Sequence, residues 1–304
     1  MPLIKNLETR NGIENAKNSD YFIIDNVIGG TKRIEAYTLA NEFMNKVMPG
    51  EWHRSIWRGE SLGSTVTSEQ GSAIMNGRFT DMFIGDYWKD SNGIIWRIWD
   101  IDPWYEHPLH PEITEHHLIV SPDTLSMTTI MNDTALESSL TNNKDYAIGF
   151  ANKRPSELYS TVLDKYKTMF NTSESKLISF TDYKEHYYTY YNNTVGQQGV
   201  HRYTVSTSPS QYVSMMNEIM LFGHSLTGGA SYRTDAYFDQ FTAPRIRPGV
   251  RAISGKPYWL RDVTGMSSNN VPYYSVLTET GTLVGKPGSD AYEYRTFALV
   301  GGDD

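Results

Sequence analysis

The sequence predicts an α+β protein, and three observations carry that prediction. Residues 82–101 have the pattern of a tryptophan-rich β-hairpin. Two stretches, one over residues 36–47 and one from Ser156 to Phe170, repeat apolar residues at the helical period. The C-terminal third alternates aromatic and β-branched residues in short runs separated by glycine turns.

The elements follow in order. Residues 1–20 are polar and read as a flexible arm. Tyr21 to Asp25 forms a strand, Gly29-Gly30 a turn and Thr31 to Ile34 a second strand. A helix follows, with Ala36, Leu39, Ala40, Phe43, Met44 and Val47 on one face until Pro49-Gly50 stops it. Thr67 or Ser68 caps a short helix ending near Gly77. The hairpin's first arm is Met82 to Trp88, its turn Lys89-Asp90-Ser91-Asn92-Gly93. In the second arm Trp96 and Ile98 share one face while Ile95, Trp99 and Ile101 share the other. A strand that is apolar on both faces is covered on both sides.

His116 to Val120 reads as a strand, and residues 132–146 as a polar surface excursion. The helix from Ser156 places Leu158, Val162, Leu163, Tyr166, Met169 and Phe170 on one face, and Leu177 to Phe180 reads as a strand. Ser208-Pro209-Ser210-Gln211 looks like an N-cap, a first-turn proline and a capping box. It predicts a helix with Tyr212, Met215, Met216, Ile219 and Met220 at helical spacing up to Gly223. The remaining strands are Tyr258 to Asp262, Tyr273 to Leu277 and, after a Gly281 turn, Tyr294 to Val300.

Composition narrows the function. The 304 residues carry a net charge of −8, and Lys and Arg do not cluster, so no basic stripe exists to track a nucleic-acid backbone. With no cysteine there are no disulfides, thiolate nucleophiles or Cys-type zinc sites. No apolar run approaches the roughly 20 residues of a membrane span, and the N-terminus lacks a basic and apolar signal, so ordinary secretory export is not expected. The 21 tyrosines suit an adhesive surface, where Tyr offers contact area at low entropic cost.

Two blocks resemble a known family. Gly85-Asp86-Tyr87-Trp88 with Asn92-Gly93 and Trp96-Arg97-Ile98 looks like the opening of a domain widespread in phage virion proteins and bacterial surface proteins. Tyr258 to Asp262 and Tyr294 to Leu299 look like its close. That domain is similar to the C-type-lectin and formylglycine-generating-enzyme type of fold, in which the first and last strands pair. Met216 to Met220 with Phe222-Gly223 resembles a block of phage structural proteins, and Ser19 to Ile34 with its following helix is similar to a virion-attachment module. The resemblance covers residues 19–50 and 55–300. One departure is Arg295-Thr296-Phe297 where the family closes on Arg-Pro-Ala-Phe.

The resemblance implies an attachment element over residues 1–50 and a C-type-lectin-like domain over 51–304. The chain would be a fibre or baseplate component of a virion, assembled in the host cytoplasm with tail, portal or capsid proteins and binding host-surface saccharide. A homotrimer is the expected state. A capsid or neck decoration protein is the alternative, and a polysaccharide depolymerase a third class.

Catalytic and metal readings are weaker. His107, His110, His116 and His117 lie near Asp100 and Asp102, but adjacent His116 and His117 on a strand point to opposite faces, and Pro108 and Pro111 suit a solvated or interface loop. No nucleophile elbow, phosphate loop or dinucleotide fingerprint occurs, and the turn carboxylates Asp81, Asp86, Asp100, Asp102, Glu112 and Glu115 read as caps. Neither enzyme, metal nor cofactor is therefore expected. Tyr183, Tyr187, Tyr188, Tyr190 and Tyr191 form either a sugar-stacking cluster or a helix whose Tyr183, Tyr187 and Tyr191 stripe packs on the core. Trp96 and Trp259 read as core. The exposed, ligand-binding set is expected to be Trp104, Tyr105, Asn269, Asn270, Tyr273 and Tyr274.

Overall fold

The structure, a computed structural model, describes residues 21–26, 30–35, 51–108, 110–123, 127–132, 153–181, 183–192, 197–207, 211–222, 255–266 and 272–303. It mixes helices and sheets, with most of the regular structure in sheets. The chain divides into two compact units, residues 1–52 and 53–304. In the first, β1 (Tyr21–Asn26) and β2 (Gly30–Glu35) pair antiparallel, matching the expected strands, while the helix expected after Ala36 lies outside the described residues. The short α1 (Glu51–Ser55) follows.

The second unit is organised by a six-stranded sheet. It runs β10 (Val213–Met215), β15 (Thr296–Gly302), β5 (Leu118–Pro122), β4 (Ile95–Ile101) and β3 (Tyr87–Lys89), with β7 (Ser175–Ile178) also on β15. β10 takes residues 296–298 of β15 and β7 takes residues 299–302, so these two strands lie end to end along one edge of it while β5 holds the other. The tryptophan ribbon and the terminal strand therefore share a sheet but are not neighbours, since β5 intervenes. A smaller sheet runs β13 (Leu283–Pro287), β12 (Pro272–Leu277), β11 (Tyr258–Met266), β14 (Tyr292–Tyr294) and β6 (Thr128–Thr129). β8 (Tyr183–Asn192) and β9 (Gln197–Thr207) form a separate hairpin, which overturns the helical reading of the tyrosine cluster.

Both faces of the large sheet are covered. On one, Trp88, Trp96, Ile98, Ile101, Val120 and Val300 pack with Val162, Tyr166 and Phe170 of α3 (Lys153–Phe170). On the other, Trp99, Ile119, Phe297 and Leu299 pack with Trp104, Phe180 and Met216. Ile101 joins the Trp96 face, against the simple alternation, because the β4–β5 register slips between Ile98 and Asp100. A bulge inserts one residue and so reverses parity beyond it. Trp96 and Trp259 are fully buried, in agreement with their reading as core.

Local chemistry explains the elements. Thr67 caps α2 (Ser68–Met75) in a full capping box with Gln70. In the hairpin turn Asp90 accepts from the Asn92 and Ile94 N–H groups, and Gly93 takes φ +80°. The expected first arm is shorter than read, because the Asp86 carboxylate gathers the Phe83 and Glu60 N–H groups and the Arg58 guanidinium, making a buried turn of residues 82–86.

The helix expected from Ser208 is overturned within the described residues. Val213–Met215 is a strand, and only the short α4 (Glu218–Phe222) is helical. Met215 and Met216 fall in opposite core clusters, so a strand buried on both faces produced an apolar run that imitated helical spacing.

Candidate functional site

At one end of the large sheet β4 stops at Ile101, β5 starts at Leu118, and residues 102–117 join them. The join is short in space and long in sequence, so the loop must satisfy its own backbone. Asp102 N–H donates to His117 O (2.9 Å) and closes the base. Within the loop Glu106 N–H donates to Ile113 O, His107 N–H to Trp104 O, His110 N–H to His107 O and Ile113 N–H to His110 O. Successive turns of this kind make a compact Ω-type loop.

Two apolar side chains anchor it. Trp104 and Ile113 are both fully buried. The Trp104 indole stacks on His110 at 4.5 Å and meets Phe180 and Phe297 at 5.6 and 5.8 Å. The exposure expected of Trp104 is therefore absent, because the ring is the plug that docks the loop on the second core face. Nor is the histidine loop simply solvated, since His110 and His117 are buried.

The half-exposed side of the loop carries a different arrangement. His116 Nδ1–H donates to Asp102 Oδ2 at 2.7 Å, and the other carboxylate oxygen accepts the His117 N–H at 2.7 Å. Tyr105 stacks on the His116 ring at 3.9 Å and 19°, while Phe79 meets it edge-on at 6.2 Å. Gly77 lies against the ring so closely that a Cβ would come within 2.5 Å of it. The His116 side chain stays 27 % exposed and that of Asp102 17 %. Burial drives the Asp102 carboxyl above its ordinary range, against the opposing pull of the His117 N–H and His116. His117 is buried, and burial lowers its imidazole to about 4 although Nδ1–H is bonded to Glu115 O.

The backbone around His116 is strained. Among the described residues the non-glycine positions with positive φ are Phe79 (+48°), Asp81 (+58°), Asp102 (+51°) and Glu106 (+50°). Asp102 bonds His116, Phe79 touches it, and Glu106 follows the tyrosine stacked on it. Each such conformation costs about 1–2 kcal/mol.

The other expected binding residues are elsewhere. Tyr274 is fully buried in the first core cluster, with its hydroxyl accepting from Asn132 Nδ2 at 2.8 Å and its ring edge-on to Trp259, so its expected exposure is also overturned. Tyr273 is half-buried on β12, paired with Pro287 and Gly265. Asn269 and Asn270 lie outside the described residues. Of the six, only Tyr105 sits in the loop with a partly exposed ring. Sequence reasoning missed its partners, although Asp102 and His116 flank the loop at the two strand ends, where register alone brings them together.

Several residues that carried the family resemblance are structural. The Arg295 guanidinium lies over the rings of Trp99 (5.2 Å) and Tyr258 (4.7 Å) and donates to Asp123 O. Glu218 bonds Ser275 through its side chain, and its N–H donates to Asp262. Among the described residues no group of three or more His, Asp or Glu side chains converges as for a metal, and no helix is long and apolar enough to cross a membrane. In comparison with known proteins, the chain matches no family model, no curated protein and no solved structure.

Proposed function

We propose that this chain is a phage virion structural protein, a fibre or baseplate component whose residues 53–304 form a C-type-lectin-type adhesive module for host-surface saccharide. One observation carries the binding reading. A partly exposed Tyr105 ring is stacked on an Asp102-held His116, in a self-bonded loop whose strained residues concentrate around that histidine. Strain of this kind persists where surrounding structure over-determines it, and it clusters at functional sites. An aromatic face fixed beside carboxylate and imidazole groups suits the apolar face and hydroxyl edge of a sugar. The opening hairpin and the terminal strand share one sheet, which supports the lectin-type reading of the domain, although β5 stands between them where that fold pairs them directly. Assembly as a trimer with other virion proteins would multiply weak sugar contacts into useful avidity.

The test has two arms. Immunogold labelling of assembled particles is expected to mark a fibre or baseplate, and unlabelled particles would end the virion reading. Retention of purified protein on host cell-wall saccharide is expected to fall about threefold to tenfold in Tyr105→Ala. Unchanged retention would remove this loop as the binding site.

A further inference from the structure

Beside the loop lies a groove of about 480 Å³, lined among others by Lys167, Asn171, Thr172, Lys176, Tyr212 and Asp303. It is assembled from three parts of the chain. Lys167 sits in the last turn of α3 and Asn171 just beyond it, one helical turn apart. The Asn171 side-chain oxygen Oδ1 accepts the Leu177 N–H, which ties the helix end to β7. Tyr212 is brought in by the Phe180–Gln211 bridge and by its own N–H donating to the Tyr159 hydroxyl. Tyr159, Leu163 and Lys167 are spaced by four, so Tyr212 is held along the same stripe of the helix that ends at Lys167. Tyr212 as a whole stays 37 % exposed, one of the few large apolar residues so open among the described residues.

The groove is rich in unused donors. The Lys176 ammonium is neutralised by Glu115 at 2.8 Å and approaches Asp303 at 4.0 Å. Thr172 and Ser175 hydroxyls are consumed locally, the latter donating to Phe170 O. Lys167 makes no ion pair with any described carboxylate, and the Asn171 amide NH₂ and Tyr212 hydroxyl have no described partner. An uncompensated cation, an amide donor, a phenol and an open aromatic face in one concavity complement an anionic, oxygen-rich ring. This is unexpected on a chain of net charge −8.

We propose that the groove is an acidic-sugar subsite, taking a saccharide unit that bears a carboxylate or a phosphate. Tyr212 stacks on the ring, Lys167 pairs with the anionic group, and the Asn171 amide donates to a ring or hydroxyl oxygen. The proposal rests on the saccharide reading above and adds the ligand's charge to it. Glu115, which holds Lys176, belongs to the 102–117 loop, so the subsite adjoins the Tyr105 surface and one extended glycan would reach both.

The test titrates the full chain calorimetrically with tetragalacturonate, with poly(glycerol phosphate) and with neutral maltotetraose. At least one acidic probe is expected to bind, and the arm that responds tells carboxylate from phosphate. Lys167→Glu is expected to weaken that binding about tenfold or more, Lys167→Arg to retain it, and Tyr212→Ala to weaken it severalfold. Each variant is checked for an unchanged thermal transition, and both side chains are exposed enough for substitution to leave folding intact. Two results would overturn the subsite: neither acidic probe binding, or Lys167→Glu titrating like the parent chain. Binding of the neutral probe that is lost in Tyr105→Ala and kept in Lys167→Glu would leave the saccharide reading standing while removing this one.

Discussion

The hairpin of residues 87–98 and the loop of residues 102–117 spring from the same strand and are both dense in aromatic rings, yet they hold those rings by different physics. In the hairpin Trp88 and Trp96 are direct cross-strand partners on one face. Their indole N–H groups donate to Gln70 and Asp90, and Phe170 of α3 meets both rings edge-on. Period-two alternation and a glycine turn are enough to place them. In the loop no period operates. Trp104 and Tyr105 are adjacent, and each stacks on a histidine, but one is driven into the core and the other stays at the surface. Regular pairing protects rings, whereas a strained turn can sort neighbours between packing and display.

The comparison breaks most readily at one buried tryptophan from each region, Trp96 and Trp104. We expect Trp96→Ala and Trp104→Ala each to lower unfolding free energy by about 3–5 kcal/mol in denaturant titration. A loss below about 1 kcal/mol in Trp104→Ala would mean that the loop is not docked as described.

Acid should sharpen the contrast next. Burial lowers His117 at the loop's base to about 4, and His53, bonded through Nδ1–H to Met82 O, likewise to about 4. Both native imidazoles resist protonation that the unfolded chain accepts near 6.5. Their contribution is therefore present above pH 6.5 and is lost as pH falls toward 4. We expect stability to decline across that window, with His117 accounting for roughly 2–3 kcal/mol, and His117→Gln to flatten the decline. A pH profile that is unchanged in His117→Gln would contradict the burial argument.

The smallest effect is the most diagnostic. Glu106 is exposed and holds φ +50°, a conformation that glycine adopts freely. Glu106→Gly should raise stability by up to about 1 kcal/mol while weakening saccharide retention, the signature of strain kept for presentation. A gain in stability with no change in binding would make the strain incidental.

What the sequence made legible followed the same division. Local signals with one strong solution were readable: a helix cap at Thr67 or Ser68, the Gly93 turn, the amphipathic α3, the strands at Tyr21 and Tyr258 and, apart from a break at Arg295, the strand read from Tyr294 to Val300. Tertiary choices were not. Residues 213–215 look helical until β15 is seen beside them, and the bulge at Trp99 shifts Ile101 to a face that alternation denies it. The site was half readable. Tyr105 was singled out, but Trp104 and Tyr274 carry the same surface-like composition and are buried by partners distant in sequence. The Asp102–His116 bond depends on strand register, and the Lys167–Tyr212 groove on a bridge between residues 180 and 211, neither of which a linear pattern encodes.

The position of β15 also bears on how this domain comes into being. Residues 296–302 fill the slot between β5 on one side and β7 and β10 on the other, so about 175 positions of chain separate them from their pairing partner at residues 118–120. Until that ribbon arrives during synthesis, β5, β7 and β10 present unpaired rims, which invite mispairing with neighbouring nascent chains. Acquisition of the native state should therefore be slow and late, and a stop codon placed ahead of Thr296 should yield aggregate in place of a shortened but soluble module.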